Sequence, residues 1–534
     1  MREFTDQHKT KPDFIQQCST NLRKLNCSSC LCCCKLKNVS LVKGKAVKQS
    51  RNCTGDTFEA PLPQLPAEIC QSLSVARGRA SQCCPMEQVW LGPWPGSTAP
   101  PAFYSTLSNF TDEDNQISLD GLSAAFQNAR QRPWTPEDQE GSIICSVAEN
   151  KLNASMLHER ISGLQPPLSC LSYPASYRGT PECRNAMARM AQRTFMKGIE
   201  VDPTNLVIQA GAGAILDTLF WLICEPNDAV LIPGPIYPAF MNDLQVRDEA
   251  HPSIFQLDEQ QGDVGGQLEA ASAAEAEQGR AVRAILLTNP NNPCGIIYKP
   301  ETVMEIVKWC LRNNVHIVSD EVYANSVFGR DTPDFVSAVV LVRTEASSLP
   351  PEHVERIPEL LHVVFGMSKD FCASGLRIGV LHTRNAAILQ AMDNLSYFHC
   401  CSAHTQWIVT QALADDAFID SFIARNRQLL RNSYELLSGA MDKAGIPYLP
   451  ACAAMFLWID LGAWLSEPTW EEENLLWEAM MNEAKVLFTP GQACKAERPG
   501  FFRVCWAWVP PEALPIAVSR LKQLLDARKK AISN

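Results

Sequence analysis

One lysine in this chain has the surroundings that covalent cofactor chemistry requires. Lys369 follows a mainly apolar run, 360–365, that is typical of a buried strand, and Arg377 comes eight residues later (377 − 369 = 8). A lysine amine in such a position can form a Schiff base with an aldehyde cofactor, and an arginine can hold the phosphate of that cofactor. The alternative is a surface lysine after a core strand. Residues elsewhere in the chain decide between the two interpretations.

Other polar residues also stand where predicted strands end. Asn292 follows one such strand, and Asp320 and Tyr323 close the next. A Gly-Ala-Gly turn at 211–213 opens a predicted helix, whose free amide groups suit an anion. Ligands of open α/β sheets bind at the carboxyl ends of the strands, so we expect these residues to meet Lys369 there.

Strands and helices alternate over most of the chain. Short apolar runs at 229–232, 284–287 and 316–318 are typical of strands buried on both faces, and a helix with one apolar stripe begins at Pro300. This alternation predicts the α/β fold class, with a large domain built on a mainly parallel sheet flanked by helices. After about Phe422, a long charged helix and two strand-like segments predict a smaller α+β domain.

We predict four regions along the sequence. Residues 1–135 are rich in cysteine and proline and are expected to be a disordered leader and linker. Residues 136–174 are expected to form the N-terminal part of the small domain. The large domain would occupy 175–422, and the C-terminal part of the small domain 423–534.

Composition restricts the classes of partner. With 534 residues, 46% of them hydrophobic and 20% charged, the chain is globular and long enough for at least two domains. A net charge of −11 argues against nucleic acid and anionic membranes as partners. We find no apolar run of the ~18 residues that span a bilayer and no secretory signal at the start. We therefore expect a cytoplasmic protein, with organellar targeting by the leader as the alternative.

Cysteines are numerous but do not predict a disulfide framework. Ten of the 22 lie before position 100, and the others are scattered in apolar contexts, as is usual in a reducing compartment. The cluster at 27–34 can bind zinc or accept palmitate, yet it has no second ligand pair at zinc spacing and no neighbouring histidine. We therefore predict no metal site.

The order of these motifs resembles the fold-type I pyridoxal-phosphate (PLP) enzymes of the class I/II aminotransferase family. Within that family the chain is similar in particular to the 1-aminocyclopropane-1-carboxylate (ACC) synthases. The resemblance covers roughly residues 141–525 and excludes the leader. It rests on Ala148-Glu-Asn-Lys-Leu, Tyr177-Arg-Gly-Thr-Pro, Pro233-Gly-Pro-Ile-Tyr-Pro, Asn289-Pro-Asn-Asn-Pro-Cys-Gly, Ser319-Asp-Glu-Val-Tyr, Ser368-Lys369 with Arg377, and Pro499-Gly-Phe-Phe-Arg-Val-Cys.

The resemblance implies a role for each site residue. Lys369 would bind PLP covalently and then remove the α-proton of the substrate, while Asp320 would keep the pyridine nitrogen protonated. Arg503 would clamp the substrate α-carboxylate, and Glu149 would lie near the substrate unless it is a surface or helix-capping carboxylate. The resemblance also implies a homodimer with shared active sites. The remaining cofactor ligands would be Asn292, Tyr323 and Tyr237 at the ring, and Ser368, Arg377, the amides of Ala212 and Gly213, and Tyr177 of the other subunit at the phosphate.

Two enzymatic functions on a small amino-acid substrate fit this set. The first is ACC formation from S-adenosylmethionine, which Glu149 favours. The second is an aminotransferase or β-eliminating lyase for a hydrophobic or sulfur-containing amino acid. Gly213, Gly366 and Ile236 favour it, because the synthases carry hydroxyls or an aromatic there. Each missing hydroxyl would cost the phosphate site about 1.5–3 kcal/mol. The intact Lys369 argues against a non-catalytic scaffold.

Overall fold

The computed structural model describes residues 119–533. The part of the predicted leader before residue 119 and the cysteine cluster at 27–34, predicted to be metal-free, therefore lie outside the described residues. Within 119–533, no helix combines the length and the apolar character that crossing a membrane requires.

The described part of the chain alternates helices and strands. The helices are α1 (Leu119–Arg130), α2 (Ala154–Ser162), α3 (Pro181–Arg193), α4 (Ala212–Ile223), α5 (Phe240–Gln245), α6 (Val264–Glu277), α7 (Pro300–Asn313), α8 (Ala338–Glu345), α9 (Pro351–Leu360), α10 (Ala386–His399), α11 (Ala403–Ala412), α12 (Asp416–Ala444), α13 (Trp470–Asn482) and α14 (Ala513–Ser533). The strands are β1 (Ile143–Ile144), β2 (Leu206–Gln209), β3 (Ala229–Gly234), β4 (His251–Gln256), β5 (Val282–Thr288), β6 (His316–Asp320), β7 (Leu361–Gly366), β8 (Gly379–Thr383), β9 (Tyr448–Leu449), β10 (Phe456–Asp460), β11 (Val486–Leu487), β12 (Thr489–Pro490) and β13 (Phe501–Cys505).

Seven strands form the central sheet, in the order β2-β8-β7-β6-β5-β3-β4. The strands from β4 to β7 in this order pair in parallel, whereas β8 is antiparallel to both of its neighbours. Crossover helices cover both faces, and every residue of β2, β7 and β8 is buried. The predicted α/β class with a mainly parallel sheet is confirmed.

Helix α7 shows why this sequence folds locally as it does. Pro300 occupies its first turn, where the missing amide hydrogen costs nothing, and Asn314 ends it in the left-handed conformation. Its predicted stripe is buried against the sheet: Val303, Ile306, Val307, Cys310 and Leu311. Packing of that stripe holds the helix between β5 and β6, so the ends of these strands are fixed relative to each other.

Register brings the carboxyl ends of three neighbouring strands to one line. Thr288 at the end of β5 pairs with Asp320 at the end of β6, and Asp320 pairs with Val364 of β7. The segments that follow these strands carry Asn292, Tyr323 and Lys369. The strand order therefore makes neighbours of residues that are distant in sequence.

A smaller α+β unit contains an antiparallel sheet in the order β12-β13-β10-β9 and a parallel pair, β1 with β11. Its core gathers residues of β1, β10, β13, α12, α13 and α14. The α+β domain predicted after Phe422 is present, although its long helix α12 begins earlier, at Asp416. Chain before the large sheet also enters this core through β1.

The predicted leader does not extend to residue 135. Helix α1 covers Leu119–Arg130 and packs apolar side chains on the core around β1, and Trp134 is buried. Composition averaged over 135 residues hid the helical spacing of the packing residues, which are Leu122, Ala125, Phe126 and Ala129. Residues 119–135 are therefore part of the fold.

Candidate active site

A cavity of about 280 Å³ lies at the carboxyl ends of β5, β6 and β7. Its position agrees with the rule for ligands of open α/β sheets. Most of the predicted site residues line it together: Ala212, Gly213, Tyr237, Asn292, Asp320, Tyr323, Ser368, Lys369 and Arg377.

A larger cavity, of about 370 Å³, lies between β8, α8 and α9. Its walls are mainly aliphatic, with His382, Arg343 and Arg384 among the polar residues. It contains no lysine and none of the predicted site residues. We therefore assign the chemistry to the smaller cavity, because the residue types matter more than the volume.

Lys369 is the nucleophile that the cavity offers. Its Nζ donates a hydrogen bond to the backbone oxygen of Ala148. The pKa of Lys369 is lowered from 10.5 to about 8, mainly because the buried ammonium is poorly solvated. The charge of Arg503 also lowers it, while Cys505, Glu149 and Asp320 act in the opposite direction. The amine therefore has an appreciable neutral fraction near physiological pH, and a neutral amine is what attacks an aldehyde.

Asp320 faces the same cavity from the end of β6. Burial raises its pKa to about 7, and this rise is opposed by a hydrogen bond from the backbone amide of Val322 (3.4 Å) and by the charge of Lys369. A cation in the cavity would favour the ionised carboxylate and lower that pKa again. Asp320 is thus suited to hold a protonated ring nitrogen.

A hydrogen-bond network joins the two sheets at the cavity wall. The Asn292 side-chain amide lies 3.4 Å from the Tyr323 hydroxyl, and the Asn292 carbonyl accepts from Nη1 of Arg503 at 3.0 Å. Burial raises the pKa of Tyr323 well above 10, so this residue stays a neutral hydroxyl. The network fixes a hydroxyl and an amide beside Asp320.

Arg503 stands behind this wall, on β13, and is 3% exposed. Its Nη2 donates to the Ser146 backbone oxygen (2.7 Å) and to the Thr489 hydroxyl (3.0 Å). Nε has no hydrogen-bond partner among residues 119–533. Of the five guanidinium hydrogens, three are used by the protein and two remain for a ligand. Arg503 does not itself line the cavity, and it reaches the cavity through Asn292.

The opposite end of the cavity is shaped for an anion. Helix α4 begins here, and Gly211 before it has φ = 101°, a conformation that side chains rarely adopt. A Cβ at Gly211 would also lie only 2.3 Å from Nη2 of Arg377. Glycine at this position therefore lets a guanidinium approach the first amides of α4, and both attract phosphate.

Close packing against the backbone explains why position 366 is a glycine. A Cβ there would lie 2.5 Å from the backbone oxygen of Ile378, the residue before β8. Gly213 differs, since the nearest atom to a Cβ there is Oδ1 of Asp243, at 3.5 Å. This backbone therefore has no room for a side chain at Gly366, whereas it has room at Gly213.

Three predicted residues lie outside the cavity. Arg503 lies behind it, as described. Glu149 lies nearby: its backbone amide donates to the Val147 backbone oxygen at 2.9 Å, and its charge raises the pKa of Lys369. Tyr177 packs edge-on against Tyr397, with ring centroids 5.1 Å apart.

Two residues of the site were missed by the sequence analysis. Asp243 lines the cavity from α5, one helical turn after Phe240, whose ring contacts Tyr237. A helical interpretation of 240–245 would have placed both on the cavity side. Cys505 lies close enough to Lys369 to influence its charge, and burial raises the pKa of the Cys505 thiol. It is two residues after Arg503 on β13, so a period-two interpretation would have put it on the same face.

Comparisons with known proteins show which family the chain is similar to. The family described as aminotransferase class I and II matches residues 169–521. The chain is 35% identical over 369 residues to 1-aminocyclopropane-1-carboxylate synthase 4 of Oryza sativa subsp. japonica, covering 66% of this chain and 74% of that protein. It is 29% identical over 454 residues to synthase 7 of Arabidopsis thaliana, covering 79% and 98%.

Solved structures with the same fold include aspartate aminotransferase from Thermus thermophilus with maleate. The TM-score is 0.61 at 20% identity, and the match covers 76% of this chain and 96% of that one. The aromatic aminotransferase from Pyrococcus horikoshii OT3 gives a TM-score of 0.60 at 20% identity, covering 76% and 99%. At such identity these two likenesses concern the fold alone.

Proposed function

The chain belongs to the class I and II aminotransferase family, and from that premise we propose that it is a PLP-dependent enzyme that forms ACC from S-adenosylmethionine. The observation that carries the proposal is Lys369, an amine with a pKa of about 8 that shares its cavity with Asp320. The choice of substrate is supported by the ACC synthases to which the chain is similar over most of its length.

The residues present fit PLP at both ends of the cavity. At one end, Asp320 can face a protonated ring nitrogen, with Asn292 and Tyr323 placed to bond a ring oxygen. At the other end, the cradle left by Gly211 holds Arg377 against the start of α4, where a phosphate can bind.

When bound, PLP supplies an aldehyde that captures the substrate amine and a ring that accepts the electron pair of the α-carbon. Lys369 holds the proton that leaves the α-carbon, and its lowered pKa makes the amine a usable base near neutral pH. Asp320 stabilises positive charge on the ring nitrogen.

We propose that Arg503 binds the α-carboxylate of the substrate. One of its two remaining hydrogens, on Nε or Nη1, can bond a carboxylate oxygen while the other three hold the guanidinium to Ser146, Thr489 and Asn292. The ring of Phe456, whose centroid is 4.8 Å from the guanidinium carbon, supports one face of the group. Glu149 is close enough to Lys369 for its charge to raise the pKa of that lysine. It is the acid that we place near the rest of the substrate.

An aminotransferase or β-eliminating lyase is the second candidate. Gly213 favours it, because no hydroxyl is present at that place in the phosphate site. Gly366 is weaker support, since the approach of Ile378 already requires glycine. Ile236 does not help to decide between the two functions, because it is 1% exposed and lies in the core outside the cavity.

Incubation of the full-length, PLP-loaded protein with S-adenosylmethionine tests the substrate. We expect ACC and methylthioadenosine in equal amounts by mass spectrometry, and neither from free PLP or from Lys369→Ala protein. If the cofactor band is present but neither product forms, the synthase assignment is wrong. Keto-acid-dependent transfer of the amino group from a hydrophobic amino acid would then establish the aminotransferase.

We further propose that the active enzyme is a homodimer. Two segments expose large apolar side chains, which we call the Tyr177 patch: Leu168 (82% exposed), Leu171 (82%), Tyr173 (86%), Tyr397 (55%) and Phe398 (74%). Tyr177 connects them, because it follows the first segment and its ring contacts Tyr397. Apolar side chains this exposed on neighbouring segments are typical of an interface. A second copy seated here would bring its Tyr177 towards the cavity.

Charges in this patch should prevent dimerisation. We expect Leu171→Asp with Phe398→Asp to weaken self-association about 30-fold or more, since burial of central apolar residues dominates interface energies. Sedimentation velocity measures the effect, and PLP affinity should fall with it. Leu475→Asp, which changes an exposed leucine of α13, is the matched control. A double variant that remains dimeric at the wild-type dissociation constant contradicts the proposed interface.

A further inference from the structure

Asp243 is a second carboxyl group in the cofactor cavity, and the proposed mechanism does not use it. It lies on α5 and lines the cavity together with Ala212, Gly213 and Arg377. Its Oδ1 lies 3.5 Å from the position that a Cβ of Gly213 would occupy. The carboxyl group therefore stands beside the first turn of α4, at the end of the cavity suited to phosphate.

The charges around this position conflict with an ionised aspartate. A cofactor phosphate carries about −1.5 to −2 charges near neutral pH, and Arg377 is the cation that lines this end of the cavity. Asp320 lines the same cavity, and Asp217 of α4, which pairs with Arg247 at 2.7 Å, is also close enough to act on Asp243. Another negative charge beside a phosphate is repulsive, whereas a protonated carboxyl donates a hydrogen bond to it.

In the free protein a substantial fraction of Asp243 is protonated near neutral pH. Burial, together with the smaller effects of the charges of Asp320 and Asp217, raises the pKa of Asp243 from 3.8 to about 7. The remaining titratable groups on the cavity are Tyr237, Tyr323 and Lys369. Burial raises the pKa of both tyrosines, so these stay neutral between pH 6 and 9.

We propose that Asp243 is a phosphate-positioning residue that binds the cofactor phosphate as a protonated carboxyl, taking up a proton when the phosphate enters. The hydrogen bond from its O–H supplies a donor at the place where Gly213 has no hydroxyl. This inference rests on the proposed function, because it requires a phosphate-bearing cofactor in this cavity.

The sign of the pH effect follows from linkage. Phosphate favours protonated Asp243, so binding is strongest where Asp243 is already protonated, below about pH 7. Above that pH, affinity should fall by up to about tenfold per pH unit through this group alone. Lys369 acts in the opposite direction, because its neutral amine increases towards pH 8 and captures the aldehyde better. The contribution of Asp243 must therefore be isolated by comparison.

The comparison uses two probes and a small set of variants of the full-length protein. Dissociation constants of PLP and of phosphate-free pyridoxal are measured from the cofactor absorbance at pH 6.5 and 8.5. The ratio of the PLP constant to the pyridoxal constant cancels the effect of Lys369. We expect this ratio to rise at least about tenfold between the two pH values in the wild type and to stay flat in Asp243→Asn, whose amide donates at every pH.

Titration calorimetry in two buffers of different ionisation enthalpy gives a second readout. At pH 8 the wild type should take up about one more proton per PLP than Asp243→Asn. Asp243→Ser, whose hydroxyl does not titrate in this range, repeats the test if the amide disturbs folding. Asp217→Asn removes a nearby acid that does not line the cavity. Because the charge of Asp217 raises the pKa of Asp243, the ratio should still rise in this variant, with the rise shifted towards lower pH.

The outcomes separate this inference from the proposed function. A ratio that rises equally in the wild type and in Asp243→Asn overturns the role of Asp243, while PLP binding and the proposed function stand. Equal proton uptake by the wild type and by Asp243→Asn likewise overturns the role of Asp243 and leaves the proposed function standing. If neither PLP nor pyridoxal gives an absorbance band at either pH, the proposed function fails and this inference fails with it.

Discussion

Replacement of Lys369 by alanine lowers kcat/KM by at least about 10³-fold, because a single group provides both the covalent anchor and the base. Among residues 119–533, no other lysine lines the cavity and could substitute for Lys369. Steady-state kinetics measure the loss, and the cofactor absorbance shows whether covalent binding is gone as well. Both should disappear together.

Lys369→Arg and Lys308→Ala are the matched variants for this result. Arginine keeps a positive charge in the cavity, but its guanidinium stays protonated and does not attack an aldehyde, so we expect it to be as inactive as alanine. Lys308 lies on α7, where it pairs with Glu305 at 3.0 Å, away from the cavity, and its removal should leave activity unchanged. Turnover within tenfold of the wild type in Lys369→Ala would show that the chemistry depends on another residue.

Residues at or shortly after the end of a strand were predictable from the sequence. Asp320 ends β6, and Lys369 and Asn292 follow β7 and β5 within four residues; the parallel sheet brings such positions to one edge. The turn at Gly211 is a similar case, because the Gly-Ala-Gly motif predicts both the start of a helix and an anion site. In all of these, function depends on a local pattern combined with one rule about sheets.

Contacts between distant segments were not predictable in the same way. Arg503 bonds Asn292 across 211 residues and the Ser146 backbone across 357. No local sequence pattern shows which N–H groups of Arg503 make these contacts. The number of N–H groups that remain for a ligand is therefore known only from the fold. Asp243 was missed for a different reason: α5 has only six residues, which is too short for a clear helical periodicity in the sequence.

Helix α1 illustrates the limit of arguments from composition. Its packing residues recur at helical spacing, yet they lie at the end of a long segment that is rich in proline and cysteine. Tyr177 illustrates a different limit. In the homodimer that we propose, a second copy would explain why Tyr177 lies outside the cavity of its own chain, and the sequence indicates such an interface only through exposed apolar residues.

Arg503→Lys raises KM for the amino-acid substrate about 10- to 100-fold, with a smaller effect on kcat. In the structure three guanidinium hydrogens already bond Asn292, Ser146 and Thr489. Lysine has three donors in total, so the same protein acceptors can use all of them and leave none for the carboxylate. Loss of a hydrogen bond to a charged group costs about 1.5–3 kcal/mol, and 1.4 kcal/mol corresponds to tenfold in affinity.

A substrate analogue without the carboxylate separates this effect from general damage to the site. The decarboxylated amine should bind Arg503→Lys and the wild type equally well, because it makes no use of the guanidinium. Arg498→Lys is the control, since Arg498 lies in the segment before β13, pairs with Asp460 at 2.7 Å and stays outside the cavity. An unchanged KM in Arg503→Lys would mean that the carboxylate binds elsewhere. The buried guanidinium of Arg503 would then serve only to join the two sheets through its hydrogen bond to Asn292.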